Sequence, residues 1–293
     1  MAKLSPDRPA VKTVKLGRHI MKLDVPRVLG ILNMTPDSFS DDGLGNNTSL
    51  GVRKGREMFS FGADLVDVGG ESTRPGAEPV TARLEIARIT GVIESLAADF
   101  PGRLSVDTMK PEVAEMALQS GASIVNDVAG LRNPRMIDAI AKHGASTIIM
   151  HMKGGPRAMQ QRPIYRDVVR EVKEYLEHRV AAAEHGGIDP RGIMVDPGIG
   201  FGKTVTNNLE IISRLREFRS IGKPIVIGVS RKSFIGKITG LPVEERIEGS
   251  VAAAVLAVRE GANIVRVHDV KETVRALKVA HEILSVKPPR KSH

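Results

Sequence analysis

LSVDTMKPEVAEMALQSGASIVNDVAG, residues 104–130, holds one complete unit of the repeating pattern from which the architecture follows. A short apolar, β-branched run, LSV, ends in Asp107. A helix-period segment follows over about 111–120 and closes at Gly121-Ala122. SIV then starts the next run, which ends in Asn126 and Asp127. On either side of this unit the same strand with a polar end recurs, eight times in all, usually followed by a helix. VLGIL ends in Asn33 and Thr35, DLVDVGG in Glu71 to Arg74, STIIM in His151 and GIMV in Asp196. PIVIGV ends in Ser230 to Ser233, and IVRVHD carries Arg266 and His268. Parallel strands joined by helices put all their C-terminal ends on one face. The polar ends should converge there, where a (β/α)8 TIM barrel builds its active site.

The spacing predicts strands near 28–33, 64–69, 104–107, 123–127, 146–151, 193–196, 224–229 and 264–268. Helices are expected over about 49–62, 82–99, 111–120, 135–143, 165–186, 207–220, 245–260 and 270–284. Gly-Ala precedes a strand at 62–63, 121–122, 144–145 and 261–262. Glycine ends a helix readily because it adopts the left-handed conformation without a Cβ penalty. A flavodoxin-like or Rossmann sheet is the main competitor, but eight units closing in one domain favour the barrel. AVKTVKLGRHIMKLDV (10–25) reads as a hairpin about Leu16-Gly17, placed to cover the bottom of the barrel. The division is thus an N-terminal extension and hairpin over 1–27, a barrel over 28–284 and a basic tail over 285–293. Two long polar loops, 33–47 and 70–80, are expected at the catalytic end.

The 293 residues suit one α/β barrel. With no cysteine, disulfides, thiolate metal sites and cysteine nucleophiles are excluded. The N-terminal residues carry no apolar run of signal-peptide length, and no segment reaches the roughly 20 apolar residues of a membrane span. A cytoplasmic protein without membrane association is expected. The net charge of +9 concentrates at the ends, with +5 over 1–27 and +3 in the last nine residues. That leaves the barrel near neutral and, with two Tyr and no Trp, argues against nucleic-acid binding. GSVAAAVLAVREGA (249–262) is apolar almost all round, which predicts cover by a second subunit and hence a homodimer.

Asp107, Asn126 and Asp196 end strands at the same face. Two acceptor-only carboxylates and an amide suit a heterocycle with N–H donors and carbonyl acceptors, such as an aminopyrimidine edge. Lys232, Arg266 and His268, with Arg74 and the hydroxyls of Ser230, Ser233 and Thr73, suit a phosphate-like anion. Asn33 and Asp37 add hard oxygens able to hold Mg²⁺ beside phosphates. A ring-binding floor below an anion-binding rim points to activation of a heterocyclic pyrophosphate.

DPGIGFGKT (196–204) has the look of a phosphate-binding loop, but Pro197 stands where its first glycine is required. HEIL (281–284) lacks the second histidine of a zinc helix, and no other histidines fall at a metal-ligand spacing. His151 reads as a structural histidine at the pocket, and Lys153 and Arg157 as weak support for the rim.

At these residues the chain resembles the dihydropteroate synthases of folate biosynthesis. The matching blocks are GILNMTPDSFSDDG (30–43), DVGGESTRPGA (67–77), SVDT (105–108), VNDVAG (125–130), MHMKGGPRAMQ (150–160), DPGIGFGK (196–203), GVSRKSFIG (228–236) and RVHDV (266–270). Lys153 departs from the neutral residue expected there. The resemblance implies condensation of 7,8-dihydropterin-6-ylmethyl pyrophosphate with p-aminobenzoate to give 7,8-dihydropteroate and pyrophosphate. It implies that Asp107, Asn126, Asp196 and Lys232 bind the pterin, and that Asn33, Arg266 and His268 bind the pyrophosphate. Mg²⁺ would lie near Asn33 and Asp37. Thr73, Arg74, Pro75, Phe201, Lys232 and Ser233 would form the p-aminobenzoate site. Asp107, Lys232, Arg266 and His268 would carry the catalytic burden. A pterin-binding methyltransferase, using methyltetrahydrofolate with a corrinoid partner, is the alternative; it has no need of the anion-handling residues.

Overall fold

The computed structural model of the chain describes residues 11–35, 47–72, 78–154 and 163–286. Ten strands occur among them: β1 (Thr13–Leu16), β2 (His19–Lys22), β3 (Arg27–Asn33), β4 (Leu65–Gly69), β5 (Leu104–Asp107), β6 (Ile124–Asp127), β7 (Ser146–Met150), β8 (Ile193–Asp196), β9 (Val226–Ile227) and β10 (Ile264–Val267). The helices are α1 (Thr48–Ser60), α2 (Ala82–Asp99), α3 (Pro111–Gln119), α4 (Pro134–Lys142), α5 (Val168–His185), α6 (Val205–Ser213), α7 (Ser233–Thr239), α8 (Ile247–Arg259) and α9 (Val270–Ser285).

Strands β3 to β10 pair in parallel in the order β8-β7-β6-β5-β4-β3-β10-β9. A single bridge between Val195 and Ile225 closes β8 onto β9. The seam is thin because Pro224, which has no N–H, enters β9; its carbonyl still accepts from Val195 N–H at 3.0 Å. The result is the eight-stranded barrel that the repeats predict.

The four Gly-Ala repeats share one physical cause. Gly62, Gly121, Gly144 and Gly261 all have positive φ. In each case the following alanine N–H reaches back five residues, to Met58, Ala117, Ile140 and Ala257 respectively. This is the Schellman closure, which satisfies a last-turn carbonyl while turning the chain toward the next strand.

Side-chain parity sorts the core. Outward-facing strand residues such as Val66, Val106, Ile149 and Val265 pack beneath the helices in the main cluster. Inward-facing Leu29, Leu65, Ile124, Ile148, Met194, Val226 and Ile264 form a separate apolar layer with Val14 and Leu16. The β1–β2 hairpin therefore plugs the bottom of the barrel. It is pinned by Gly17 N–H donating to Ser146 Oγ at 3.1 Å and by a 2.9 Å Lys15–Asp189 ion pair.

Three elements depart from the expected pattern. The helix expected over 207–220 changes at Arg214 from α6 into a 3-10 helix, Leu215–Ile221. Leu215, Phe218 and Ile221 recur every three residues, and 3-10 winding stacks them on one buried face. The strand expected over 224–229 is only Val226–Ile227, and SFIGKIT forms the additional helix α7, with Phe234 and Ile235 buried. No helix among the described residues is long and apolar enough to cross a membrane.

Candidate active site

The alternation that buries Leu29, Leu65, Ile124, Met194 and Ile264 at the bottom carries polar residues inward farther up the same strands. Two residues on lie Asp67, Asn126, Asp196 and Arg266; four residues on from Leu29 and Ile264 come Asn33 and His268. A packed apolar floor thus supports a polar cup at the C-terminal face.

Arg266 is the hub of that cup. Its Nε donates to Asp67 Oδ2 at 2.6 Å and its Nη2 to Asp107 Oδ2 at 2.7 Å. Asn126 Nδ2 donates to the same Asp67 Oδ2 at 2.9 Å. Oδ1 of Asp67 and Oδ1 of Asp107 are buried and have no partner among the described residues. Burial pushes the Asp107 carboxyl up to about 7 against the attraction of Arg266, with Asp67 adding repulsion. Asp196 is also raised by burial, although it accepts the Gly198 N–H at 2.7 Å. Burial opposes the charge on Arg266, but Asp67 and Asp107 more than compensate and hold it protonated. The pocket therefore sets buried hydrogen-bond acceptors around one permanent cation.

Lys232 precedes α7, with its Nζ 4.2 Å from the centre of the Phe201 ring. Burial first, then repulsion from Arg266, lowers its pKa to about 8. Phe201 packs with Val128, Met150 and Met152, and Met109 joins them, giving an apolar wall beside the acceptors. His268 Nδ1 lies 3.1 Å from Ser230 Oγ, which also accepts the His268 backbone N–H at 3.2 Å. Burial and the Arg266 charge push the imidazole down to about 3, so it is neutral near pH 7. Arg231, between these groups, turns away to bind Asp269 at 2.5 and 3.0 Å.

Asp107, Asn126, Asp196, Lys232, Arg266, His268 and Phe201 thus share one pocket environment. Ser233 is exposed at the start of α7, next to Lys232. Asn33 ends β3 opposite Gly69. Thr73, Arg74, Pro75, Asp37 and Arg157 lie outside the described residues. Lys153 does not support the pocket rim as expected. Its ammonium lies 3.9 Å from the Tyr165 ring, bonds the Ile164 carbonyl and pairs with Glu171 at 3.7 Å. Asp127 faces outward and fixes a turn by accepting Ala129 and Leu131 N–H groups.

His151 is structural, as read from sequence. It is buried, edge-on to Tyr175 at 4.9 Å, and burial with the Lys203 charge lowers its pKa to about 2. Lys203, the lysine of DPGIGFGKT, also turns inward. Its Nζ donates to the carbonyls of Gly198 at 2.8 Å and Phe201 at 3.1 Å, and lies 3.0 Å from His151 Nδ1. This lysine holds its own loop together and is not offered to a phosphate.

Sequence reading passed over Asp67. The signal was a carboxylate in the middle of an apolar strand, two residues beyond inward-facing Leu65. It also passed over Lys110, which joins Glu71 at 2.8 Å to Glu85 at 2.6 Å; Glu71 in turn accepts the Val80 N–H. This network ties together the two ends of the segment that carries Thr73 to Pro75.

Among the described residues no three His, Asp or Glu side chains form a metal cage. Asn33 Oδ1 lies close over Gly69 on β4: a β-carbon there would be in ordinary contact with it at 3.5 Å and with Asp107 Cβ at 3.6 Å. The Asn33 amide oxygen is a hard ligand of the kind Mg²⁺ accepts, and Mg²⁺ retains water and takes few protein ligands when it binds with phosphates.

Comparison with known proteins agrees with this chemistry. Residues 29–268 match the family model described as pterin binding enzyme. The Escherichia coli K12 dihydropteroate synthase is 45% identical over 267 residues, covering 91% of this chain and 95% of that protein. The Xanthomonas albilineans dihydropteroate synthase solved with 4-aminobenzoic acid superposes with a TM-score of 0.88 at 44% identity, covering 94% of this chain and 99% of that one. Its complex with 7,8-dihydropteroate gives 0.85 at 42% identity, covering 94% and 100%. An acceptor-lined cup with a cationic hub, at the C-terminal mouth of a barrel matched along nearly its whole length, therefore has a family: the chain belongs to the pterin binding enzymes and, among them, to the dihydropteroate synthases.

Proposed function

We propose that the cup condenses 7,8-dihydropterin-6-ylmethyl pyrophosphate with p-aminobenzoate, giving 7,8-dihydropteroate and pyrophosphate. The carrying observation is the joint placement of Asp107, Asn126, Asp196 and Arg266 above an apolar floor. Asp107, Asn126 and Asp196 accept the N–H groups of the pterin ring, Lys232 meets its acceptor edge, and the methionine wall takes its face. Asn33, Arg266 and His268 receive the pyrophosphate. Ser230 Oγ already accepts one N–H from His268, so its hydroxyl hydrogen can go to Nδ1, leaving Nε2–H as a donor to the leaving group.

The bond between the exocyclic methylene carbon and pyrophosphate oxygen breaks, and its electron pair leaves with the oxygen. The arylamine nitrogen then supplies the pair for the new C–N bond and releases a proton. Negative charge at Asp107 favours the cationic pterin that forms between these events, while Arg266 and Lys232 favour the departing anion. No protein nucleophile is required. Asn33, with Asp37, would hold Mg²⁺, which when bound neutralises pyrophosphate charge. Thr73, Arg74, Pro75, Phe201, Lys232 and Ser233 form the p-aminobenzoate site.

The working form is a cytoplasmic homodimer whose catalytic unit spans 28–284. An interface over α8 is supported by the half-exposed Leu256 and, on α6 and α7, by exposed Leu209 and Ile238. Purified protein incubated with both substrates and Mg²⁺ should form dihydropteroate and pyrophosphate in equal amounts. Dihydropteroate should vanish when p-aminobenzoate is omitted. Pterin binding without either product would overturn the proposal and favour methyl transfer.

A further inference from the structure

Asp67 has no place among the groups that meet substrate, yet it sits beneath two of them. It is fully buried inside the barrel on β4. Burying a carboxylate costs several kcal/mol unless it is paired and hydrogen-bonded. The layer immediately below is apolar, so an apolar side chain could fill the same position. The use of the charge lies in what its Oδ2 accepts: Arg266 Nε at 2.6 Å and Asn126 Nδ2 at 2.9 Å.

An ionised carboxylate only accepts hydrogen bonds, whereas an amide can present either end. Facing Asp67, Asn126 must turn its NH₂ downward, which directs Oδ1 the other way. The cup then offers acceptors at three positions: Asn126 Oδ1, the unpartnered Asp107 Oδ1 and the Asp196 carboxylate. A ligand edge made of adjacent N–H donors complements that set, and an edge of acceptors does not. The Nε bond also fixes the guanidinium so that Nη2 reaches Asp107.

We propose that Asp67 is a positioning residue that sets the donor–acceptor polarity of the pterin site through Asn126 and the orientation of Arg266. The inference rests on the reading of this cup as the pterin site. Asp67 touches no substrate; it determines which face its neighbours show.

The test uses the full chain and steady-state kinetics with both substrates. Asp67→Ala should raise KM for the dihydropterin pyrophosphate at least tenfold and leave KM for p-aminobenzoate within twofold. Asp67→Asn can keep an oxygen in the Oδ2 position and should recover most of the loss. Combined with Asn126→Ala, Asp67→Ala should cost less than the product of the two single effects, because one acts through the other. A second arm holds even where Asp67→Ala fails to fold. Asn126→Asp sets a second carboxylate against Asp67 Oδ2 and should weaken pterin binding tenfold or more. Unchanged KM in Asp67→Ala, equal losses for both substrates, or unchanged pterin binding in Asn126→Asp would each overturn this inference while the wild type remained active. A wild type that neither binds nor turns over the pterin pyrophosphate would overturn the proposed function as well.

Discussion

Lys203 Nζ lies 3.0 Å from His151 Nδ1, with the carbonyls of Gly198 and Phe201 completing its surroundings. This pairing shows what the glycine-rich loop is for: its lysine closes the loop on itself and seats Phe201 under Lys232. Lys203→Met should leave the carbonyls unsatisfied and cost roughly 2–4 kcal/mol. The expected fall in melting temperature is roughly 3–7 °C. Scanning calorimetry checks the fall, and pyrophosphate affinity should change less than about threefold, where loss of a phosphate-binding lysine would cost far more.

Lys232 gives a pH dependence with a definite sign. Burial and the Arg266 charge lower its pKa to about 8, so it is cationic below that pH and neutral above it. The KM for the dihydropterin pyrophosphate should therefore rise as pH passes about 8. Lys232→Arg remains charged and should remove this alkaline limb up to about pH 10, whatever it costs in absolute rate. A limb that stayed in place in the arginine variant would assign it to another group.

Arg266 is held by two buried carboxylates, and removing it leaves both without their cation. Arg266→Met should cost about 3–5 kcal/mol of folding stability, the usual penalty for breaking a buried ion pair from one side. Asp107→Asn should cost clearly less, because the amide oxygen can still accept from Nη2, yet it should reduce kcat by about 10²-fold or more. Urea denaturation and initial rates on the same preparations check the two effects separately.

Asn33 Oδ1 lies close over Gly69, and the described residues supply no metal cage. Mg²⁺ alone should bind weakly, with Kd in the range of about 1 mM or above, and together with pyrophosphate at least tenfold more tightly. Calorimetric titration of Mg²⁺ in the presence and absence of pyrophosphate measures this. Asn33→Ala should reduce the difference. Equal affinity under both conditions would show a resident metal site.

Leu256 is about half exposed (51%) on a helix that otherwise buries Ser250, Ala253, Ala254 and Ala257. Leu256→Glu should convert the proposed dimer into monomer in sedimentation equilibrium and leave each barrel folded. A variant that stayed dimeric would place the interface elsewhere.

Much of the fold was legible in the chain. The Gly-Ala pairs announce helix ends because a left-handed glycine is a local requirement, and four of the predicted junctions close that way. The three-residue spacing of Leu215, Phe218 and Ile221 was also present, but over seven residues it resembles a helix pattern until packing selects the tighter winding. The shortness of β9 was hidden because apolar residues run on past its ends. Ile225, Val226 and Ile227 are all buried, although only the last two form the strand.

Local sequence is enough to place the eight strand ends, their supply of carboxylates, amides and cations, and the side of each strand on which those groups fall. These depend on short-range periodicity and chain stereochemistry. Which cation stands free of backbone carbonyls at the cup and which is enclosed by its own loop is settled by long-range packing alone. Lys203 and Lys232 both follow glycine- or serine-rich strand ends, yet one is enclosed by carbonyls while the other lies over Phe201. Asp67 and Arg266, 199 positions apart, become partners only when β10 closes beside β3. Their pairing depends on distance in space and on the water that barrel closure removes, neither of which is a property of a local stretch of chain.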